Sequence, residues 1–165
     1  MKSGKIFGGN GGDDFDDSLQ AMFTPDHYLS GISLSSLDEI DACRFIYRSS
    51  RDNHSRIESP VHGAPRTKIN SAYQFDLHDD ERIEEIHVKS SDVFFVGAND
   101  RAIRVRVVRG IQFLTTKARR IPPDIVLTGD DVQSESILGY TLGYATGKSG
   151  QRIDQLQFFW YRTKR

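Results

Sequence analysis

The chain consists of short apolar segments separated by polar and glycine-rich ones. Apolar and polar positions alternate with a period of two in segments 102–116 (AIRVRVVRGIQFLTT) and 153–162 (IDQLQFFWYR), and this alternation is typical of strands with one buried face. Segment 33–45 (SLSSLDEIDACRF) has a spacing that is also compatible with a short turn of helix. The pattern as a whole predicts an all-β fold.

Two segments are predicted to be loops. Segment 7–17 (FGGNGGDDFDD) combines glycines with four aspartates, and both the backbone entropy of glycine and the repulsion between like charges oppose regular structure. Segment 49–72 is polar and contains two prolines, which predicts a long exposed connection. At 165 residues we expect a single domain, 1–165, that contains both loops.

Charge and composition narrow the range of partners. The 22 basic and 23 acidic residues leave a net charge of -1. We therefore expect no overall electrostatic attraction to nucleic acid or to a membrane. The single cysteine, Cys43, lies in an apolar segment and is expected to be buried. Without a leader or a membrane-spanning stretch the prediction is cytoplasmic, or extracellular if the sequence comes from a larger secreted protein.

The residues that usually carry catalysis or hold metals are not grouped in the sequence. The five histidines (His27, His54, His62, His78 and His87) lack the spacing of a zinc site, and the aspartates of segment 7–17 lack the order of a calcium loop. The adjacent Glu84 and Glu85 would point to opposite faces of a strand. We therefore expect a protein that is not an enzyme and that needs no metal or cofactor.

Segment 147–154 (GKSGQRID) is the strongest candidate for a binding site. Gly147 and Gly150 permit a turn with positive φ, after which the backbone N–H groups of Gln151 and Arg152 can converge on the point that the Asp154 carboxylate faces. Two donors beside a carboxylate suit the hydroxyls of a sugar. The alternative is a hairpin turn in which the aspartate caps local backbone N–H groups.

Four motifs in order resemble the jacalin-related lectins. They are the glycine loop GGNGG (8–12), EEIHVKSSDVFFVG (84–97), IQFLTTKAR (111–119) and GKSGQRID (147–154). The resemblance covers nearly the whole chain. It implies a β-prism I fold of three four-stranded antiparallel Greek-key sheets with pseudo-threefold symmetry, and a sugar site at one end that needs no metal.

The resemblance also implies which residues bind the sugar. The G-x-x-x-D motif falls on Gly150 and Asp154, Gln151 and Arg152 supply backbone donors, and the amide of Gly12 approaches the sugar from the glycine loop. The turn GANDR matches the variable recognition loop of the family, which adds Asn99 and Asp100 as contacts.

Three features depart from the family pattern. The usual Lys-Gly-Arg is Lys-Ala-Arg at 117–119, Gln-Leu-Gln stands at 155–157 in place of Ala-Ile-Gly, and segment 49–72 is longer than the family leads us to expect.

The expected ligands are mannose- or glucose-type glycans or glycoproteins. In the family, a chain that is cut just before the binding-loop glycine resembles the galactose-binding branch, because the freed amino group joins the site. Here Gly12 lies inside GGNGGDD, which favours mannose or glucose. Affinity for a monosaccharide should be about millimolar, so a homo-oligomer or fused modules would add avidity. The alternative is a polyanion, such as a sulfated glycan, or a protein partner on the strand face of Arg104 and Arg106, unless acidic neighbours neutralise that face.

Overall fold

Three antiparallel sheets surround one hydrophobic core. The structure is a computed structural model that describes residues 1–52, 55–65, 69, 71–97 and 99–163. The strands in these residues are β1 (Lys2–Gly8), β2 (Asp13–Asp16), β3 (His27–Leu34), β4 (Ala42–Ser49), β5 (Arg56–Glu58), β6 (His62–Gly63), β7 (Gln74–Asp76), β8 (Ile83–Val96), β9 (Ala102–Thr115), β10 (Arg120–Ile121), β11 (Val132–Glu135), β12 (Tyr140–Ser149) and β13 (Ile153–Arg162). Two single-turn 3-10 helices, Asp17–Leu19 and Ser71–Tyr73, accompany them.

The strand order of each sheet shows how the chain closes on itself. Sheet I has the order β1-β13-β12-β2, so it joins the first and last strands of the chain. Sheet II has the order β5-β4-β3-β7, and sheet III has the order β10-β9-β8-β11. In sheets II and III a central hairpin is flanked by the next strand and by a later returning strand, which is the Greek-key arrangement.

The all-β prediction is confirmed, with two corrections. Sheet II has five strands because β6 also pairs with β4, so the sheets are not all four-stranded. Segment 33–45 forms no helix. It contains the end of β3, a bend and the start of β4, because Leu34 pairs with Cys43, and Ile32 with Phe45, in a β ladder that buries these side chains.

The expectation of a long exposed connection at 49–72 needs a further correction. The segment contains β5, β6 and the start of the second 3-10 helix, and it buries Ser59 and His62. Residues 53–54, 66–68 and 70 lie outside the described part of the chain. Paired backbone groups therefore hold part of this segment against sheet II.

Phe158 is the aromatic centre of the core. Its ring makes edge contacts with Phe7 of sheet I, Phe45 of sheet II and Phe113 of sheet III, at centroid distances of 6.2–6.4 Å. Such pairs contribute about 0.5–1.5 kcal/mol each beyond the area that they bury. Cys43 belongs to the same core, as predicted, and burial raises the pKa of its thiol.

A buried carboxylate joins sheet III to the connection after β7. The side chain of Glu81 is fully buried. It accepts hydrogen bonds from Arg119 Nε (2.8 Å) and Nη2 (2.5 Å), from Thr115 Oγ1 (2.5 Å) and from the His78 backbone N–H (3.0 Å). The Arg119 guanidinium is the main reason why the pKa of Glu81 falls to about 2.

We expect Glu81→Gln to lower the free energy of unfolding by about 2–3 kcal/mol at pH 7, because Arg119 loses its charged partner. The folded-state pKa lies below the ordinary value of 4.5, so the stabilisation is present above that pH and is lost as pH falls toward 2. Urea unfolding at pH 7 and pH 2.5 measures both quantities. The control is Asp80→Asn, which removes an exposed ion pair with Lys117 and should change stability far less than Glu81→Gln does. A loss of the same size at both pH values would contradict this account.

Candidate functional site

The glycine loop, residues 8–12, lies directly against Asp154. Gly8 and Gly12 have φ angles of +93° and +80°, a region in which side chains are strained. A Cβ on Gly8 would stand 2.3 Å from the Asp154 carbonyl oxygen, and a Cβ on Gly12 would stand 2.7 Å from Asp154 Oδ2. The Gly9 N–H donates to the Asp154 carbonyl at 2.7 Å. The loop needs glycine because its backbone touches the backbone and carboxylate of β13.

The turn between β12 and β13 differs from the prediction in its backbone. Neither Gly147 nor Gly150 has a positive φ, and the pairing of β12 with β13 shifts register between Lys148 and Ser149. Gly147 is needed for close approach, since a Cβ there would stand 2.0 Å from the Gln155 carbonyl oxygen. A Cβ on Gly150 would meet nothing closer than the Gly12 Cα, at 3.9 Å.

The turn and the glycine loop enclose a pocket of about 260 Å³, lined by Gly12, Val107, Gly150, Gln151, Arg152 and Asp154. All five residues predicted for the core of the site thus come together, although the glycine loop and the turn are more than 130 positions apart. Among the described residues, the N–H groups of Gln151 and Arg152 have no backbone acceptor. Two residues that line the pocket thus have backbone N–H groups that are not used in backbone pairing within the described residues.

The Asp154 carboxylate supplies the acceptors of the pocket. The residue is only 8% exposed, and within the described part of the chain no other residue donates a hydrogen bond to its side chain. Both oxygens lie beside the glycine loop, near Gly11 and Gly12. The carboxylate thus faces a distant part of the chain, which argues against the alternative of an aspartate that only caps its own turn.

Burial raises the pKa of the Asp154 carboxyl above its ordinary value of 3.8. The positive charge of Arg152 and the backbone N–H of Asp154 itself oppose this rise. A carboxylate with few partners in a partly dry pocket is destabilised in its charged form. A ligand that donates hydrogen bonds to it would supply the missing stabilisation.

Asn99 and Asp100 do not line this pocket. They are exposed at the tip of the β8–β9 hairpin, where the Asp100 N–H donates to the Gly97 carbonyl. Val105, which lies near Gly11, is three residues from Ala102, the first residue of β9, which is about 10 Å along the strand. Only a ligand that extends out of the pocket could reach both places.

Arg104 and Arg106 share one face of β9, as the alternation predicts, and acidic neighbours neutralise them. Arg104 forms an ion pair with Asp92, and Arg106 reaches both Asp92 (3.5 Å) and Asp131 (3.0 Å). The Arg104 guanidinium is the main reason why the pKa of Asp92 is lowered. This pairing argues against the alternative in which the two guanidinium groups are unpaired and bind a polyanion.

Two residues that shape the pocket were not found from the sequence. Val107 forms an apolar wall, and the Gln155 side chain donates to the Gly9 carbonyl at 2.9 Å, which ties the glycine loop to β13. The signal for Gln155 was present in the sequence, since it is one of the residues that depart from the family pattern. Val107 gave no signal, because its strand is remote from the turn in sequence.

Within the described residues, no group of three His, Cys, Asp or Glu side chains could hold a metal ion. His54 lies outside the described residues. A larger cleft, of about 780 Å³, lies near the other end of β12 and β13, between Glu84, Glu85, Leu138 and Arg162. None of the described helices is long and apolar enough to cross a membrane.

Comparisons with known proteins agree with this architecture. A family model described as the jacalin-like lectin domain matches residues 4–159. A search of curated protein sequences found no significant match.

Solved structures match over nearly their whole length. A mannose-binding jacalin-related lectin from Ananas comosus has a TM-score of 0.71 at 19% identity, covering 98% of this chain and 97% of that one. Frutapin from Artocarpus incisa has a TM-score of 0.72 at 19% identity, with coverages of 96% and 95%. A complex of artocarpin with mannotriose has a TM-score of 0.70 at 21% identity, with coverages of 97% and 97%. At these identities the likeness concerns the fold, and it confirms the expected β-prism I.

Alanine at position 12 should destabilise the protein, whereas alanine at position 150 should not. We expect Gly12→Ala to cost about 2 kcal/mol or more, because its φ is positive and its Cβ would collide with Asp154. Gly150→Ala should leave stability unchanged or raise it by up to about 1 kcal/mol, because the Cβ fits and the unfolded chain loses freedom. Urea unfolding of both variants tests the close approach. Equal losses would show that the loop and the turn do not meet as described.

Proposed function

Because the chain belongs to the family of jacalin-like lectin domains, we propose that it binds mannose- or glucose-type glycans in the pocket between the glycine loop and the turn. The observation that carries this proposal is the juxtaposition of free backbone donors with a carboxylate whose oxygens have few partners. Two adjacent sugar hydroxyls donate to the Asp154 oxygens, while ring and exocyclic oxygens accept from the N–H groups of Gln151 and Arg152. No metal or catalytic step is required.

The choice of sugar is supported by the structural neighbours. The Ananas comosus lectin is described as mannose binding, and artocarpin is found with mannotriose, mannopentose and methyl-α-mannose. In this chain, Val107 offers an apolar wall to the C–H face of a sugar ring. The small pocket suits one monosaccharide unit, with an affinity of about millimolar, or about 4 kcal/mol.

Larger ligands would use more of the surface. Asn99 and Asp100 lie on the β8–β9 hairpin beyond the pocket, so in this proposal they contact only oligosaccharides that extend along that hairpin. Several copies of the domain, as a homo-oligomer or as fused modules, would raise the avidity for a multivalent glycoprotein.

Asp154→Asn should weaken binding of methyl-α-mannoside by tenfold or more, because a charge-assisted acceptor is replaced by an amide that donates toward the sugar hydroxyls. The thermal midpoint should stay the same or rise. Since burial raises the pKa of this carboxyl, its ionised form costs stability above that pKa, and the neutral amide removes the cost. Isothermal titration calorimetry and thermal unfolding measure the two effects. Full binding by the variant would refute the site.

The same group sets the pH dependence of the parent protein. Binding should fall as pH drops through the raised pKa of Asp154, with a midpoint above 3.8, while circular dichroism confirms that the fold persists. A variant with asparagine at this position should lack this transition.

Ionic strength separates the proposed function from the polyanion alternative. Binding of a neutral mannoside should change by less than about twofold between 50 and 500 mM salt, because no charge is exchanged with the ligand. Binding of a sulfated glycan to Arg104 and Arg106 would weaken steeply over the same range. A glycan array at both salt concentrations, with neutral and sulfated probes, distinguishes them. A signal confined to sulfated probes at low salt would contradict the mannose assignment.

A further inference from the structure

Residues 59–64, which we call the strut, connect sheet II to the turn of the pocket. The Ser59 N–H donates to the Phe45 carbonyl at 2.8 Å, and the Phe45 N–H donates to Ser59 Oγ at 3.0 Å. Farther along, His62 and Gly63 pair with β4 as strand β6. The strut is thus fixed along β4 at both of its ends.

A buried hydrogen-bond network holds the side chain of His62 in the strut. His62 Nε2 lies 2.9 Å from Asp17 Oδ1, and the Tyr47 hydroxyl donates to Asp17 Oδ2 at 2.6 Å. All three residues are at most 4% exposed. The Tyr47 hydroxyl also accepts from the Ala145 N–H of β12 at 3.1 Å. Buried polar groups that satisfy one another in this way favour one arrangement of the chain.

The strut contacts the turn of the pocket and the strand that follows the glycine loop. The His62 ring stacks on Phe15 of β2 with a centroid distance of 3.6 Å and an angle of 15°, and β2 begins immediately after Gly12. On the other side, the Ala64 N–H donates to the Gln151 carbonyl at 3.4 Å. The strut therefore borders the turn directly and the glycine loop through the strand that follows it.

The hydrogen bond from Ala64 to the Gln151 carbonyl also fixes the direction of the Arg152 N–H, because the peptide bond is planar. The Gln151 carbonyl and the Arg152 N–H belong to one peptide unit, and in a trans peptide they point in opposite directions. A donor that holds the Gln151 carbonyl on the strut side therefore directs the Arg152 N–H away from the strut. The Arg152 N–H is one of the two backbone donors assigned to the sugar.

We propose that the strut is a positioning element that orients the peptide unit between Gln151 and Arg152 for glycan binding. The proposal rests on the function proposed above and adds the 49–72 segment to it. Ala64 acts through the peptide unit and needs no contact with the sugar.

Gly63→Ala tests the strut with a closely matched control. Gly63 has a φ of +85°, and a Cβ there would stand 2.2 Å from the Asp41 carbonyl oxygen, so the variant displaces β6 from β4. Gly139 has a φ of +81° with nothing within 4 Å of its Cβ, and it lies at the far end of β12. Gly139→Ala therefore introduces the same backbone strain and leaves the strut in place.

The readouts are the dissociation constant and stoichiometry for methyl-α-mannoside by calorimetry, and the backbone amide signal of Arg152 by NMR. We expect Gly63→Ala to raise the dissociation constant threefold to tenfold with unchanged stoichiometry and to shift the Arg152 amide, while Gly139→Ala behaves like the parent. Equal affinities of the two variants would overturn the proposal. So would a lower stoichiometry at an unchanged dissociation constant, which indicates only a loss of folded protein.

A second pair of variants covers the case in which Gly63→Ala does not fold. Ala64→Pro removes the N–H that contacts Gln151, and Ala64→Ser keeps it. The proline variant alone should bind more weakly and shift the Arg152 amide; identical behaviour of the pair would overturn the proposal. If the parent binds no mannoside, the proposed function fails, and the Arg152 amide of the unliganded proteins still decides whether the strut orients the turn.

Discussion

The pocket depends on a contact between two stretches of main chain. Residues 8–12 approach β13 so closely that neither Gly8 nor Gly12 has room for a side chain, and the Gly9 N–H bonds to the Asp154 carbonyl. This approach is possible because β1 pairs with β13 and both belong to the sheet that the chain ends form together. A loop without side chains places backbone within reach of a ligand and of a carboxylate at the same time. The Gln155 side chain fixes this contact through its hydrogen bond to the Gly9 carbonyl, and the pocket lies beside it.

Two buried carboxylates, Glu81 and Asp154, differ in their surroundings and therefore in the direction of their pKa shifts. Glu81 is fully buried with a guanidinium, a hydroxyl and a backbone N–H around it, and its pKa falls to about 2. Asp154 is also buried, but it has few partners, and its pKa rises. The first carboxylate stabilises the scaffold, whereas burial disfavours the ionised form of the second, in the position that we propose for the sugar. Perturbed groups of the second kind are characteristic of functional sites.

The strut gives residues 59–64 of the polar 49–72 segment a place in the fold. It adds a short strand to sheet II and buries a histidine against Asp17. From there it reaches the turn through Ala64. The contact of His62 with Asp17, the stacked rings and the hydrogen bond to Gln151 bring together parts of the chain that are far apart in sequence.

The sequence by itself determined the strand pattern and the separation into a glycine loop and a G-x-x-x-D turn, and its resemblance to the jacalin-related lectins predicted that the two meet at one pocket. Alternation with a period of two and the special backbone freedom of glycine are local properties, so they can be recognised without coordinates. Only the tertiary structure decided that Gly12, and not Gly150, takes a positive φ, that acids neutralise Arg104 and Arg106, and that Val107 lines the pocket while Gln155 holds the glycine loop. Each of these depends on contacts between residues far apart in sequence, whose distances are set by how the three sheets pack.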